Sequence, residues 1–221
     1  MKSFSDKYLI LFCTFFTVFV WWLIFGYSLS NEPYVWDDLH FFREYSSNEL
    51  KESWTGNWDS DGIETLSYRP LAVLYYHYTY LIFEENTFLL RNFVIFEAFL
   101  LIFLTNFFLN YLNFSKKEII IFTFLIIFSK IFITLIAWFT ISVLLLAYIL
   151  AITSILFFLI SIEKKNILYY LFSLFFAASS IFIREELYVL PIILILLYFS
   201  KYEINFKNIL NCFSKILLFF F

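Results

Sequence analysis

The stretch Phe139 to Ile162, FTISVLLLAYILAITSILFFLISI, contains no charged residue and is long enough to cross a membrane. About 20 apolar residues span the hydrocarbon core of a bilayer as an α-helix. Similar apolar runs occupy most of the chain. The predicted fold class is therefore all-α integral membrane, with about seven transmembrane helices (the last incomplete) and a long outer loop that carries short juxtamembrane helices. The predicted spans are about 8–29, 87–114, 118–135, 139–162, 167–183, 187–199 and 209–221.

The overall composition agrees with a single membrane module over residues 1–221. Apolar residues make up 62% of the chain and charged residues only 15%, whereas soluble domains carry about 25% charged residues. The net charge of −3 gives no reason to expect a nucleic-acid partner. Cys13 and Cys212 both lie in apolar runs, which indicates small buried side chains rather than a disulfide framework or a zinc site. The partner that the composition predicts is the lipid bilayer.

The distribution of lysine predicts the orientation of the spans. Cytoplasmic loops of membrane proteins carry an excess of lysine and arginine. If the N-terminus is cytoplasmic and the spans alternate, the inner face collects Lys2, Lys7, Lys116, Lys117, Lys164, Lys165, Lys201 and Lys207. The outer face then collects the acidic loop, Trp138 and all four arginines: Arg43, Arg69, Arg91 and Arg184. We predict a multi-pass protein of a cell or inner membrane, with the acidic loop outside.

The outer loop, about 30–86, holds nine acidic and three basic residues between Ser30 and Arg69. Within it, Ser46 to Glu49 is a capping-box pattern that predicts the start of a short helix. Pro70 suits the first turn of the following helix. Apolar residues recur there at helical spacing: Leu71, Leu74, Tyr75, Tyr78 and Ile82. Two interpretations are equally open for that helix, one in the membrane interface and one as an ordinary packed helix.

The sequence offers little for a metal ion. Residues Asn57 to Gly62 match the first half of a calcium-binding loop, but Tyr68 stands at the twelfth position, where such a loop has a bidentate Glu. His40 and His77 are too isolated to build a metal site. We therefore predict no metal site with defined ligands and no certain cofactor, and leave a divalent metal open.

Three motifs follow one another in a distinctive order. Asp37-Asp38 opens the outer loop, Tyr68-Arg69-Pro70-Leu71 ends it, and the run Arg184 to Pro191 (REELYVLP) forms a later outer corner. Together they resemble the GT-C superfamily of multi-pass glycosyltransferases. The run Trp36 to Phe41 (WDDLHF) resembles the Asp-Glu-Val-His-Phe stretch of protein O-mannosyltransferases, and Trp138 also has a counterpart in that group.

Two features depart from that family. Ser129-Lys130 stands where such relatives have a small His-Pro element. Family members also have eleven or more spans, whereas this chain stops inside the seventh predicted span. From the resemblance we expect the N-terminal module of a truncated transferase.

The resemblance implies transfer of a hexosyl or pentosyl group from a polyprenyl-phosphate donor to a hydroxyl of an acceptor protein, lipid or glycan. By position in the motif, Asp37 is expected to be the general base and Asp38 to orient a partner or help bind a metal. Arg69 and Arg184 are candidates for the donor phosphate, because arginine stays charged and binds phosphate with two N–H groups. Their alternative partners are acids of the outer loop and Glu185, respectively. The further expected substrate-binding residues are His40, Tyr68 and Glu185.

A second interpretation is a non-catalytic polytopic membrane protein, either a transporter or an inactive remnant of a truncated transferase. A transporter is expected to carry polar residues deep in several spans, or spans broken by Gly or Pro. The predicted spans 8–29, 139–162 and 167–183 are almost unbroken Phe, Leu and Ile, and charge collects on one face. Glu97, inside the second predicted span, is an exception that is costly in hydrocarbon. The pattern favours chemistry at the membrane surface over passage through it.

Overall fold

The chain is built from helices. In the computed structural model, residues 4–31, 36–56 and 68–201 are described, and every regular element within those ranges is helical, as predicted. A π-helical segment, Trp22–Gly26, joins α1 to α2, and a 3-10 turn, Glu185–Val189, precedes α11. The helices are α1 (Phe4–Trp21), α2 (Tyr27–Ser30), α3 (Trp36–Phe41), α4 (Ser47–Thr55), α5 (Pro70–Phe83), α6 (Thr87–Tyr111), α7 (Lys116–Ile127), α8 (Lys130–Ala137), α9 (Phe139–Lys164), α10 (Ile167–Ile183) and α11 (Leu190–Lys201).

Two helices, α6 and α9, are long and apolar enough to cross a membrane. A third crossing results if α7 and α8 are counted as one bent span. The apolar segment Thr14–Ser30 and α10 are shorter than the roughly 20 residues that a span requires. The described part of the chain therefore fits a membrane protein but does not support the predicted count of seven transmembrane helices. The predicted span 209–221 lies outside the described residues.

The predicted span 118–135 is divided by Ser129. Helix α7 ends at Ile127, and the Ser129 hydroxyl accepts a hydrogen bond from the N–H of Phe132 at 3.2 Å, which caps the start of α8. The prediction treats about 118–135 as one span, but the structure has two helices there, α7 and α8. The axes of α7 and α8 differ by 54°. A serine that caps a new helix explains why this apolar run does not continue straight.

Three arginines and the lysines of two loops lie at opposite ends of the bundle. Helices α9 and α10 form a hairpin, so the first residue of α9 and the last of α10 share an end. Arg91, near the start of α6, contacts Ala137 just before α9, so α6 begins at that end too. We call it the arginine end; it carries Arg69, Arg91 and Arg184. The loops after α6 and α9 lie at the other end, with Lys116, Lys117, Lys164 and Lys165. Which end faces the cytoplasm stays a prediction.

Helix α5 buries one face and exposes another. Ala72, Val73 and Tyr76 are buried where α5 packs against α4, α6 and α10. Tyr78 and Ile82, which belong to the predicted apolar stripe, are instead exposed by 56% and 69%. The buried face is shifted because small and hydroxyl-bearing residues also pack inward. The helix thus combines both interpretations, since it packs on the bundle and still presents apolar side chains that suit a membrane interface.

The predicted capping box at the start of α4 is confirmed. The Ser46 hydroxyl accepts from the Glu49 N–H at 3.3 Å, and Glu49 Oε2 accepts from the Ser46 N–H at 2.7 Å. Arg43 Nη2 donates to Glu49 Oε1 at 2.7 Å. The Arg43 hydrogen bond, followed by that from Ser46, lowers the pKa of Glu49 to about 2. The Glu49 carboxylate therefore stabilises both the start of α4 and the residues that precede it, Arg43 and Ser46.

Acid is expected to loosen the start of α4. The pKa of Glu49 in the folded chain lies below its ordinary value of 4.5, so its contribution is present above that value and is lost as the pH falls toward 2. The protection of α4 amides against hydrogen exchange, relative to the intrinsic exchange rate at each pH, should fall over this interval. Glu49→Gln should remove the pH dependence, whereas Glu52→Gln on the same helix should keep it. An identical pH response in Glu49→Gln would contradict the assignment.

Candidate functional site

A buried carboxylate, Asp38 on α3, connects the outer loop to the α8–α9 junction. Its side chain has no exposed surface. Oδ1 accepts hydrogen bonds from the backbone N–H and the hydroxyl of Thr140, at 2.8 and 2.9 Å. Oδ2 lies 3.5 Å from Nη2 of Arg91, whose side chain is also fully buried. We call Asp38, Arg91 and Thr140 the clamp. The buried charges of Asp38 and Arg91 compensate each other, because an isolated charge in a medium of low dielectric constant is costly.

The clamp supplies hydrogen-bond partners for backbone groups at the end of α8 and the start of α9. Arg91 Nη1 donates to the carbonyl oxygens of Ala137 and Ile136, at 2.6 and 3.3 Å, in the last turn of α8. Trp138 precedes α9 and provides no side-chain cap, so Asp38 supplies the acceptor for an N–H group in the first turn of α9. The guanidinium thus lies at a helix C-terminus and the carboxylate at a helix N-terminus. Helix dipoles favour this arrangement of signs.

Removal of Asp38 should destabilise the chain strongly. Asp38→Ala leaves Arg91 buried without this carboxylate, a change that typically costs about 3–5 kcal/mol. Thermal unfolding in detergent should show a large fall in the midpoint for Asp38→Ala and for Arg91→Leu. The double variant should lose less than the sum of the two, because they act on one interaction. Leu39→Ala, at the neighbouring position that is 68% exposed, is the control. A midpoint in Asp38→Ala equal to that of the control would show that the clamp contributes nothing.

Arg69 and Glu185 form a two-pronged ion pair. Arg69 Nε donates to Glu185 Oε2 at 2.6 Å, and Nη2 donates to Oε1. Arg69 directly precedes α5 and Glu185 begins the turn before α11, so the pair joins the end of the outer loop to the α10–α11 corner. Burial disfavours the charged guanidinium, but the Glu185 carboxylate outweighs it and the pKa of Arg69 is raised. Two residues predicted to bind substrate therefore meet and bind each other.

Arg184 is less completely neutralised than Arg69. Its Nε lies 3.3 Å from Oε2 of Glu186, whose side chain is 58% exposed. That Nε is buried and makes no hydrogen bond within the described part of the chain. Ion pairs with an exposed partner contribute only about 0–1 kcal/mol, because water competes for the exposed group, here the Glu186 carboxylate. The Arg184 side chain is 21% exposed.

Tyr76 on α5 lies among these groups. Its hydroxyl donates to the carbonyl oxygen of Thr140 at 2.7 Å, next to the atoms that bind Asp38. Burial is the main reason that the pKa of Tyr76 is raised, and the charges of Arg184, Arg69 and Asp38 also act on it. All three charges act on the same hydroxyl group. The clamp, the Arg69–Glu185 pair and Arg184 therefore lie close to one another at the arginine end.

Two further predicted residues lie on α3. Asp37 immediately precedes Asp38 on this helix, but its side chain is outside the described part of the structure. Its expected role as general base therefore stays a prediction. His40 is half-buried, and its ring meets that of Phe41 edge-on at 4.7 Å. The clamp fixes the backbone on which both residues are carried.

Tyr68 anchors the end of the outer loop. Its hydroxyl donates to the carbonyl oxygen of Trp54 at 2.9 Å, and its ring meets Phe182 edge-on at 6.0 Å. Trp54 contacts the same Phe182 ring. Tyr68 therefore joins the end of α4 to the end of α10. Its predicted contact with substrate stays a prediction.

The described residues define no metal site. Within 4–31, 36–56 and 68–201, no three His, Cys, Asp or Glu side chains lie close enough together to hold an ion. The calcium-like pattern at 57–62 lies outside these ranges. The possibility of a divalent metal, left open by the sequence, stays a prediction.

Sequence reasoning missed two members of the site, Thr140 and Tyr76. One signal was available for Thr140, since Trp138 is a poor N-cap residue and the start of α9 needs an acceptor from elsewhere. Arg91 was predicted to lie at the same end as Arg69 and Arg184, as the structure has it, but its partner was not identified. An arginine within an apolar segment requires a buried anion, which points to one of the few acids at the same level.

Comparison with known proteins adds no relative to this description. No protein-family model, no curated protein and no solved structure matches the chain. The activity must therefore be argued from the chemistry of the arginine end. That end combines a helix that carries Asp37 and Asp38, held by the clamp, with Arg69, which is paired with Glu185, and Arg184, whose partner Glu186 is exposed.

Proposed function

We propose that this chain is a membrane glycosyltransferase of the GT-C type. It would transfer a sugar from a polyprenyl-phosphate donor to an acceptor hydroxyl at the non-cytoplasmic face, within a module of about seven spans. One observation carries the proposal: the helix bearing Asp37 is fixed by a buried clamp beside Arg69 and Arg184, at one end of an apolar bundle. A helix that carries two acids, held near cations at the end of membrane helices, suits a lipid-linked, anionic donor.

In the proposed reaction, the acceptor hydroxyl attacks the anomeric carbon of the donor. The new carbon–oxygen bond forms as the bond between that carbon and the phosphate oxygen breaks, and polyprenyl phosphate leaves with the bonding electrons. Asp37 takes the proton of the hydroxyl as general base. Asp38 positions the helix that carries Asp37 and takes no part in the proton transfer, because both of its oxygens are engaged by Thr140 and Arg91.

The donor phosphate would bind at the α10–α11 corner. Arg184 offers a partly exposed guanidinium whose carboxylate partner, Glu186, is itself exposed. Arg69, oriented by Glu185, adds positive charge beside the first turn of α5, where backbone N–H groups favour an anion. The apolar tail would follow the exposed side chains near this corner, Tyr188 and Ile192.

The second candidate is a non-catalytic membrane protein. The Arg69–Glu185 pair favours it, because a two-pronged pair between remote segments stabilises a fold without any ligand. Glu97 fits either reading: it accepts a hydrogen bond from the Tyr75 hydroxyl at 2.7 Å and so has a partner inside the bundle. The charges at one end and the satisfied acid inside both weigh against a transport path.

Sugar transfer tests the proposal directly. Membranes containing the chain are incubated with radiolabelled polyprenyl-phosphate sugars, and transfer to endogenous acceptors is counted. Asp37→Asn should reduce transfer by about 10²-fold or more, because a general base typically contributes 10²–10⁴-fold. Glu44→Gln, an exposed acid of the outer loop, should leave transfer unchanged. Equal transfer by wild type and Asp37→Asn would remove Asp37 from its role, and no transfer from any donor would favour the non-catalytic candidate.

Arg184 should determine donor affinity. Arg184→Lys keeps the charge but loses the two-pronged geometry, so KM for the donor should rise about tenfold, equivalent to one charge-assisted hydrogen bond of about 1.5 kcal/mol. Glu186→Gln removes a competing carboxylate and should not raise KM. Lys51→Gln, an exposed cation on α4, is the matched control. An unchanged KM in Arg184→Lys would contradict phosphate binding at this corner.

A further inference from the structure

A cavity of about 270 Å³ lies between α6, α7, α8 and α9. Its walls are mostly apolar and include Leu101, Phe132 and Ile152. Phe122 and Tyr148 also line it, and both are exposed on the outer surface of the bundle, by 38% and 40%. The cavity therefore communicates with the medium that surrounds the helices.

The depth of the cavity identifies that medium. Arg91 and Ala137, which contact each other, mark the arginine end. About 21 Å of α6 separates Arg91 from Thr105 in the cavity wall, and about 20 Å of α9 separates Phe139, two residues after Ala137, from Ile152. The hydrocarbon core of a bilayer is about 30 Å thick. Because α6 and α9 are the helices able to cross it, the cavity lies at the level of acyl chains, far from the proposed site of sugar transfer.

The buried polar groups of the wall bind to the protein itself. Asn106 Nδ2 donates to the Thr14 hydroxyl at 2.8 Å, and Asn106 Oδ1 accepts from the Thr123 hydroxyl at 2.9 Å. The Thr105 hydroxyl donates to the Leu101 carbonyl oxygen at 2.8 Å. These bonds connect α1, α6 and α7. Because these polar groups are already hydrogen-bonded, the wall offers a ligand mainly its apolar atoms. An occupant of this cavity should therefore be hydrocarbon rather than water or a polar solute.

We infer that the cavity binds one acyl chain of a bilayer phospholipid. Apolar cavities of about 150 Å³ stay dry and accept a molecule the size of benzene, so this larger cavity accommodates a segment of a flexible, unbranched chain. The exposed rings of Phe122 and Tyr148 continue the cavity wall onto the lipid-facing surface, which gives a chain a path from the bilayer. The bound acyl chain would fill the space beneath the α7–α8 bend. It would thereby hold both helices against α6 and α9.

Photolabelling tests this inference without any assay of sugar transfer. The chain is placed in phosphatidylcholine nanodiscs that contain an increasing fraction of phosphatidylcholine with a diazirine on one acyl chain. After irradiation, labelled residues are located by mass spectrometry. Labels in 101–106 and 148–152 should saturate at a low probe fraction and fall when unlabelled phosphatidylcholine is added. Labels on Leu125, an exposed α7 residue, should rise in proportion to the probe.

Variants that fill the cavity separate a binding site from general contact with lipid. Ile152→Trp should abolish the saturable component, and Thr105→Leu does the same with a smaller change if the tryptophan variant does not fold. Leu125→Trp, outside the cavity, should keep it. The inference is overturned if labelling of the wall never saturates, if both filling variants retain saturation, or if polyprenyl phosphate displaces the label where phosphatidylcholine does not.

Discussion

The contact between Asp38 and Arg91 holds the arginine end together. Each charge would be unfavourable alone in a buried position, but each also satisfies backbone groups that helix ends leave open. Asp38 supplies the acceptor that Trp138 does not provide to α9, and Arg91 binds the last carbonyl oxygens of α8. One ion pair therefore fixes the α8–α9 junction, the start of α6 and the outer helix α3 relative to one another.

A second pair, Arg69–Glu185, performs a related function at the α10–α11 corner. It joins two segments 116 positions apart in the chain, so the outer loop is attached at both of its ends. Arg184 lies beside these contacts with a weaker, more exposed partner. The described part of the arginine end thus contains two rigid attachments and, in Arg184, a cation whose partner is more exposed. This division of roles is the physical basis for the proposed placement of an anionic lipid-linked donor.

Local sequence patterns predicted the parts of the fold that depend on neighbouring residues. The helical class, α6 and α9, and the capping box of Ser46 and Glu49 follow from apolar runs and cap spacing. The pairing of Asp38 with Thr140 did not, because it joins residues 102 positions apart through a backbone N–H that no side-chain pattern reveals. The restart of the helix at Ser129 was also unexpected, since serine favours either a loop or a cap. The residues of the site were mostly named in advance; their partners depended on the packing.

The 54° bend at Ser129 also affects the surrounding bilayer. If α7 stands along the membrane normal, its 12 residues rise about 18 Å, and the 8 tilted residues of α8 add only about 7 Å, not counting up to about 3 Å from the two residues between them. The sum of about 25 Å falls short of the roughly 30 Å of hydrocarbon that α6 and α9 can cross. Hydrophobic mismatch would then be confined to one flank of the bundle, where lipids must thin to meet the shorter surface. Such one-sided thinning would orient the molecule relative to neighbouring proteins and favour membranes of lower thickness.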